Sequence, residues 1–437
     1  MEISLTHLFS TPRLDGQSAL PSQATITRQV LPNGITVLAR PNYNSPSVVV
    51  SGYLMTGSLS DPSEKLGLSD FTASALMRGT RFSDFQQIYE ALESAGARIG
   101  FSSGTHLTSF SGKALAEDLE LLLNTLNETL RFPTFPPEHV ERLRTQLLTG
   151  LAIRAQDTSE MASLLFDEIV FKDHPYRYPT DGYPETIQAI QREDLANFHA
   201  AQFGPTSMVL AVVGAVDPEQ AIARVSSVIG DWENTRQASP PPLPPVTPLE
   251  KTIQRSSEIP GKSQSDIVLG VIGPPRSSPD FMAASLGNNI LGQFGMMGRV
   301  GNSVRKQAGL AYYAHSSLSV GIGPSPWFVS AGVDPGNVTA AIDLIIQEIT
   351  RFVNEPVAAE ELSDSQANFV GRLPLSLESN TGVANALVIL ERFGLDLDYY
   401  LRYRDEVMAV TIEDVLAAAR RYFDTDRLAI AVSGPQA

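Results

Sequence analysis

Met208-Val209-Leu210-Ala211-Val212-Val213-Gly214 returns 220 residues later as Leu428-Ala429-Ile430-Ala431-Val432-Ser433-Gly434. Both are apolar strands closed by a glycine. The offset is kept well beyond the strand. Ile187-Gln188-Ala189-Ile190 with Glu193-Asp194-Leu195 matches Val407-Met408-Ala409-Val410 with Glu413-Asp414-Val415, and Phe203 matches Phe423. Upstream, Glu128, Arg131, Phe132, Pro136 and Glu141 match Glu348, Arg351, Phe352, Pro356 and Glu361. One register held for so long marks an internal duplication, which has to be found before elements are assigned.

Between the two copies lies Ala238-Ser239-Pro240-Pro241-Pro242-Leu243-Pro244-Pro245-Val246-Thr247-Pro248. Proline has no N–H and a fixed φ, so the stretch reads as an extended, semi-rigid linker. The expected organisation is an N-terminal extension over 1–26, a first domain over 27–235, a linker over 236–251 and a second domain over 252–437. In the first domain, Gln29-Val30-Leu31 and Ile35-Thr36-Val37-Leu38-Ala39 flank Pro32-Asn33-Gly34, a turn between two strands. Val48-Val49-Val50-Ser51-Gly52-Tyr53-Leu54 reads as a buried strand. Apolar residues at three- and four-residue spacing then predict helices over Ser69–Met77, Gln86–Ser94 and Leu115–Leu130. The pattern is α+β, written twice.

The chain has 437 residues, more than one hydrophobic core accommodates. Its formal charge of −16 argues against a surface built to bind phosphates, so nucleic acid is not an expected partner. No run is long and apolar enough to span a membrane or serve as a signal peptide, and the cytoplasm is the default compartment. Cysteine is absent. The six histidines, His7, His106, His139, His174, His199 and His315, show no i, i+3 or i+4 pair that would put two ligands on one helix face.

Gly67-Leu68-Ser69-Asp70-Phe71-Thr72-Ala73-Ser74-Ala75-Leu76-Met77-Arg78-Gly79-Thr80 carries the frame of a metallopeptidase helix without its chemistry. In H-x-x-E-H two His ligate zinc and the Glu activates the bound water. Asp70, Ala73 and Ser74 stand at those places. The glycines and apolar residues around them resemble the motif segment of the pitrilysin/insulinase (inverzincin) family, which includes the mitochondrial processing peptidase. The resemblance covers residues from about 27 to 437 and implies two homologous α+β domains, each a mostly antiparallel sheet packed with helices, facing one another as a clamshell. In that family a helix like Glu138–Gly150 carries two functional Glu seven residues apart, the second being the third zinc ligand. Here those places hold Leu143 and Gly150. Structural zinc binds with roughly 10–16 kcal/mol of apparent free energy through deprotonated ligands, so the loss removes the site. No metal is expected in this chain.

The resemblance also implies a contribution from the second half, where family members carry an Arg seven residues before a Tyr, with Gly-Leu near the Tyr. Arg305 and Tyr312 match, around Gly309-Leu310. Gly309 suits a helix C′ position, which puts Arg305 in a last helical turn and Tyr312 at the start of a strand. A one-residue change of register would present Tyr313 instead. Leu291–Arg299 has glycines at 292, 295 and 298, which suit close backbone packing or a substrate-contact loop, and Arg299 is expected to bond a carboxylate or helix end. His174-Pro175-Tyr176 is read as a structural turn.

The resemblance therefore implies a zinc-less subunit of a heterodimeric metalloendopeptidase. A zinc-bearing homologous subunit would supply the metal. Arg305 and Tyr312 would stabilise the carbonyl of a bound peptide. A protein of another class fits the lost ligands as well: a structural or peptide-binding protein resembling the core subunits of respiratory complexes. A serine hydrolase does not fit, because no G-x-S-x-G elbow is present.

Overall fold

In a computed structural model, residues 20–435 are described. Most of the segment read as an N-terminal extension, through residue 19, lies outside them. The first half runs β1 (Thr27–Val30), β2 (Thr36–Pro41), β3 (Ser47–Leu54), α1 (Leu68–Ala75), α2 (Phe85–Ser94), β4 (Arg98–Ser103) and β5 (Thr108–Leu115). It continues with α3 (Leu119–Arg131), α4 (Pro137–Arg154), α5 (Thr158–Val170), α6 (Pro184–Ala189), α7 (Arg192–Gln202), β6 (Val209–Gly214) and α8 (Pro218–Ile229). The second half has β7 (Ile253–Glu258), β8 (Ser265–Gly273), α9 (Phe281–Asn288), β9 (Ala311–Leu318), β10 (Ser325–Val333) and α10 (Val338–Asn354). After these come α11 (Ala359–Ser376), α12 (Asn380–Phe393), α13 (Tyr399–Met408), α14 (Ile412–Tyr422) and β11 (Ala429–Gly434).

The halves share a topology. The first sheet has the order β1-β2-β6-β3-β5-β4 and the second β7-β11-β8-β10-β9. Each contains one parallel junction, β2 with β6 and β7 with β11, besides its antiparallel pairs. The repeated apolar strands become β6 and β11, central in their sheets and buried along their whole length. The Pro32-Asn33-Gly34 turn joins β1 to β2, with Gly34 at φ +91. The predicted helix from Leu115 needs correction: Leu115 ends β5, a short 3-10 turn follows, and α3 begins at Leu119. Strand pairing with Ser47 takes precedence there over a helical apolar pattern.

Each sheet packs its inner face on helices of its own half. Ile35, Val50, Phe71 and Leu122 belong to one core, Trp327, Val329, Ile345 and Phe352 to the other. The outer faces are covered by exchange. Helix α12 of the second half lies on β3 and β6, packing Val383, Leu387 and Leu390 against Val49, Tyr53 and Val213. Helix α5 of the first half lies on β8 and β11, packing Leu165, Phe166 and Ile169 against Val268 and Ala431. Residues 236–251 between the halves carry no helix or strand.

Candidate functional site

Helix α1 starts because the Asp61 carboxylate accepts from the backbone N–H of Gly67 at 2.9 Å and of Ser69 at 2.8 Å, satisfying donors at the helix N-terminus. Gly67, at φ +92, admits the turn into it. The helix packs on α4, with the Arg144 guanidinium 5.3 Å from the Phe71 ring centroid and Leu143 in the same core as Phe71. The two helices on which the resemblance would place a metal site thus pack together, without metal-binding side chains at the expected positions 73, 143 and 150. Ala73 and Leu143 are buried apolar residues, and Gly150 is exposed, with open space where its side chain would be. Asp70 and Ser74 are half-buried. Among the described residues no group of three His, Cys, Asp or Glu could hold a metal ion.

What remains at this place is acidic. Burial, and then the neighbouring Asp181 carboxylate, push the Asp70 carboxyl up to about 6. Burial pushes Asp61 up to about 7 despite its backbone donors. One carboxyl that is partly protonated near neutrality and one hydroxyl do not make a zinc site.

The second half is organised differently. After α9 the chain forms a π-helical turn, Asn289–Gln293, a 3-10 turn, Gly295–Met297, and a second π-helix, Gly301–Gln307. The glycines there serve close packing. A Cβ on Gly292 would stand 2.6 Å from Ser316 N, and one on Gly298 2.7 Å from the Gly292 Cα. Arg299 is tied to Glu361 through Nε at 2.7 Å and Nη2 at 2.6 Å, and Glu361 also accepts from Ala358 N at the start of α11. The expected carboxylate and helix end are both found.

Arg305 lies in the last turn of the second π-helix, and Gly309, at φ +66, turns the chain into β9. The helix is π where an ordinary helical turn was predicted, a rare form that is frequent at functional sites. Tyr312 is the second residue of β9. Gly332 pairs with Tyr313 and Val333 with Ala311, so Tyr312 is the extra residue of a β-bulge. Bulges re-aim side chains, and Tyr312 is 59% exposed. Arg305 is exposed too, on the element packed beside β9. Among the described residues neither side chain makes a hydrogen bond or ion pair, with each other or with a third group.

Tyr313 takes the opposite role. Its hydroxyl donates to Asp266 Oδ1 at 2.5 Å. Asp266, 1% exposed, also accepts from Gln264 Nε2 at 3.0 Å and from the Thr158 hydroxyl at the start of α5. Gly332 leaves room for the ring, since a Cβ there would stand 2.5 Å from Tyr313 Cε1. Burial, and then the bond to Asp266, raise the Tyr313 phenol far above its usual range. The pair borders a 520 Å³ cavity between the halves, also lined by Lys262 and His315. Asp266 was not foreseen from the sequence. Its signal was there, a lone acid opening the apolar run Ile267-Val268-Leu269.

The peptidase M16 inactive domain profile matches residues 189–369, and that of insulinase (peptidase family M16) matches residues 36–180. An uncharacterized zinc protease of Mycobacterium leprae (strain TN) is 26% identical over 430 residues, 95% of this chain and 93% of that protein. The mitochondrial-processing peptidase subunit beta of Saccharomyces cerevisiae is 24% identical over 392 residues, covering 84% of this chain and 82% of the other. A solved peptidase M16 inactive domain from Pseudomonas fluorescens superposes with a TM-score of 0.88 at 24% identity, covering 94% of this chain and 98% of its own. A protease from Helicobacter pylori has the same score at 18% identity, covering 95% of this chain and 100% of its own. With the duplicated fold and the metal-helix frame, these matches show that the chain belongs to the insulinase family, peptidase family M16.

Proposed function

We propose that this chain is the zinc-less, substrate-binding subunit of a two-chain M16 metalloendopeptidase. The observation that carries the reading is the contrast in donor groups. The α1–α4 position lacks metal-binding side chains, while Arg305 and Tyr312 stand exposed on special backbone, with no partner among the described residues to account for them. A phenol O–H and a guanidinium are the groups that stabilise the oxyanion formed when zinc-bound hydroxide attacks a peptide carbonyl. The zinc would sit in a homologous partner subunit, and the substrate would be a short or unstructured peptide held between the chains. The free edge of β9 suits that, because an extended peptide can add to a sheet edge with little regard to sequence. We assign the first functional unit to 27–235, the linker to 236–251 and the second unit to 252–437, acting in the cytoplasm.

The test is reconstitution with a zinc-bearing homologue. The chain alone should be inactive and the mixture active. Arg305→Ala and Tyr312→Phe should each lower kcat/KM of the mixture by about 100- to 1,000-fold, the range for loss of one oxyanion donor. Activity of the isolated chain would overturn the proposal. So would indifference of the mixture to both substitutions, which would favour a structural or peptide-binding role.

A further inference from the structure

A cavity of 310 Å³ lies where α11, α12 and α13 meet the loop after β8, on elements other than those that carry Arg305 and Tyr312. Arg276 from that loop is half-buried within it. Its guanidinium lies 4.8 Å from the Phe281 ring centroid and 5.5 Å from that of Tyr399, and Nη2 donates to Tyr399 Oη at 2.8 Å. Aromatic rings pack against the group, and its remaining N–H donors have no protein acceptor among the described residues. Arg372 of α11 lines the same cavity and is exposed. Neither guanidinium forms an ion pair with a described residue, although the chain carries a formal charge of −16. The remaining wall is largely apolar, with Phe369, Leu373 and Ile389, and with Tyr400 and Tyr403, whose phenols burial pushes above their usual range.

We propose that this cavity binds a carboxylate attached to an apolar body, with Arg276 and Arg372 holding the carboxylate and the α11–α13 wall receiving the body. A planar guanidinium packed against rings offers its N–H groups in the geometry that fits a carboxylate two-to-two, and an ammonium would not replace it. The volume is at the low end for ligand pockets, about 300–1,000 Å³, which limits the ligand to a small acid or the last residue of a peptide. Those two sources share one chemistry.

The experiment is isothermal titration of the intact chain with three probes: 3-phenylpropionate, acetyl-Ala-Ala-Phe as the free acid, and the same tripeptide as its C-terminal amide. At least one acid is expected to bind saturably, the amide about tenfold more weakly or not at all. Arg276→Gln and Arg372→Gln should each weaken the acid about tenfold or more, as expected for loss of a charge-assisted bond. Binding of the tripeptide acid alone identifies a peptide C-terminus as the ligand; comparable binding of 3-phenylpropionate identifies a free acid. Arg372 is exposed, so its variant folds even if loss of Arg276 disturbs the loop; an unchanged melting curve checks this. The proposal is overturned if neither acid binds at millimolar concentration, if the amide binds as well as the acid, or if Arg372→Gln binds as the parent does.

Discussion

The outer faces of the two sheets occupy matching positions and are closed in different ways. Val49 of β3 pairs with Val213 on one side and Lys113 on the other; its counterpart in β8, Asp266, pairs with Ser433 and Gly332. On the first sheet the α12 contact is mostly apolar, with neutral hydrogen bonds from the Asn380 amide to Ser47 and from the Ser51 hydroxyl to Asn385. On the second, α5 starts at a polar knot of Thr158, Asp266, Gln264 and Tyr313, and only beyond it becomes apolar. Apolar burial is strong but tolerant of sliding, whereas a buried carboxylate with three donors fixes a register. The fixed register is that of β9. With Tyr313 drawn to Asp266, the bulged Tyr312 is left facing away from the knot. The half that presents the exposed Arg and Tyr is therefore the half whose strand is pinned.

The largest effect that would break this contrast is expected from Asp266→Ala. It leaves two hydroxyls and an amide in a buried place without their acceptor, at a cost of about 3 kcal/mol, measurable by urea unfolding. Val49→Ala, the matching change in the first sheet, removes only two methyl groups and should cost about half as much. Equal losses would mean that the knot contributes no more than packing.

The strands, the duplication, α1 and the arginine anchored to a helix end were legible because each depends on local pattern: apolar runs, one offset, turn residues. Exchange of α5 and α12 was not. An amphipathic helix announces that it needs a surface, not which of two equivalent sheets supplies it. The bulge at Tyr312 and the π-helix before it were equally invisible, since both come from one residue more than the regular pairing accommodates. The acidity at Asp70 was not legible, because it depends on how Asp61, Asp70 and Asp181 are brought together.

A second, smaller effect sharpens the comparison. Arg299→Gln should destabilise the protein by about 2 kcal/mol, because it leaves Glu361 half-buried with only its helix-capping bond. Glu141, which matches Glu361 at the 220-residue offset, instead pairs with Arg144 of its own helix and is exposed, and Glu141→Gln should change stability by no more than about 1 kcal/mol. Thermal unfolding at one pH compares the two.

The smallest effect concerns pH. Asp70 and Asp61 are held above the ordinary carboxyl range, so the folded chain keeps protons that the unfolded chain releases. The stability they contribute is complete below about pH 4 and is lost as the pH rises through about 6 for Asp70 and about 7 for Asp61. Asp70→Asn should remove its share of that loss, raising stability at pH 8 by roughly 1–2 kcal/mol with little change at pH 4. A variant with the parent's slope between pH 5 and pH 8 would show that Asp70 is an ordinary surface acid.

Because α5 and α12 are traded between the halves, the proline-rich connection divides the sequence without dividing the architecture. Either repeat taken alone would keep a helix with nothing to lie on and a sheet bare on one side. In its present form each copy is a partial object, completed only by its sibling.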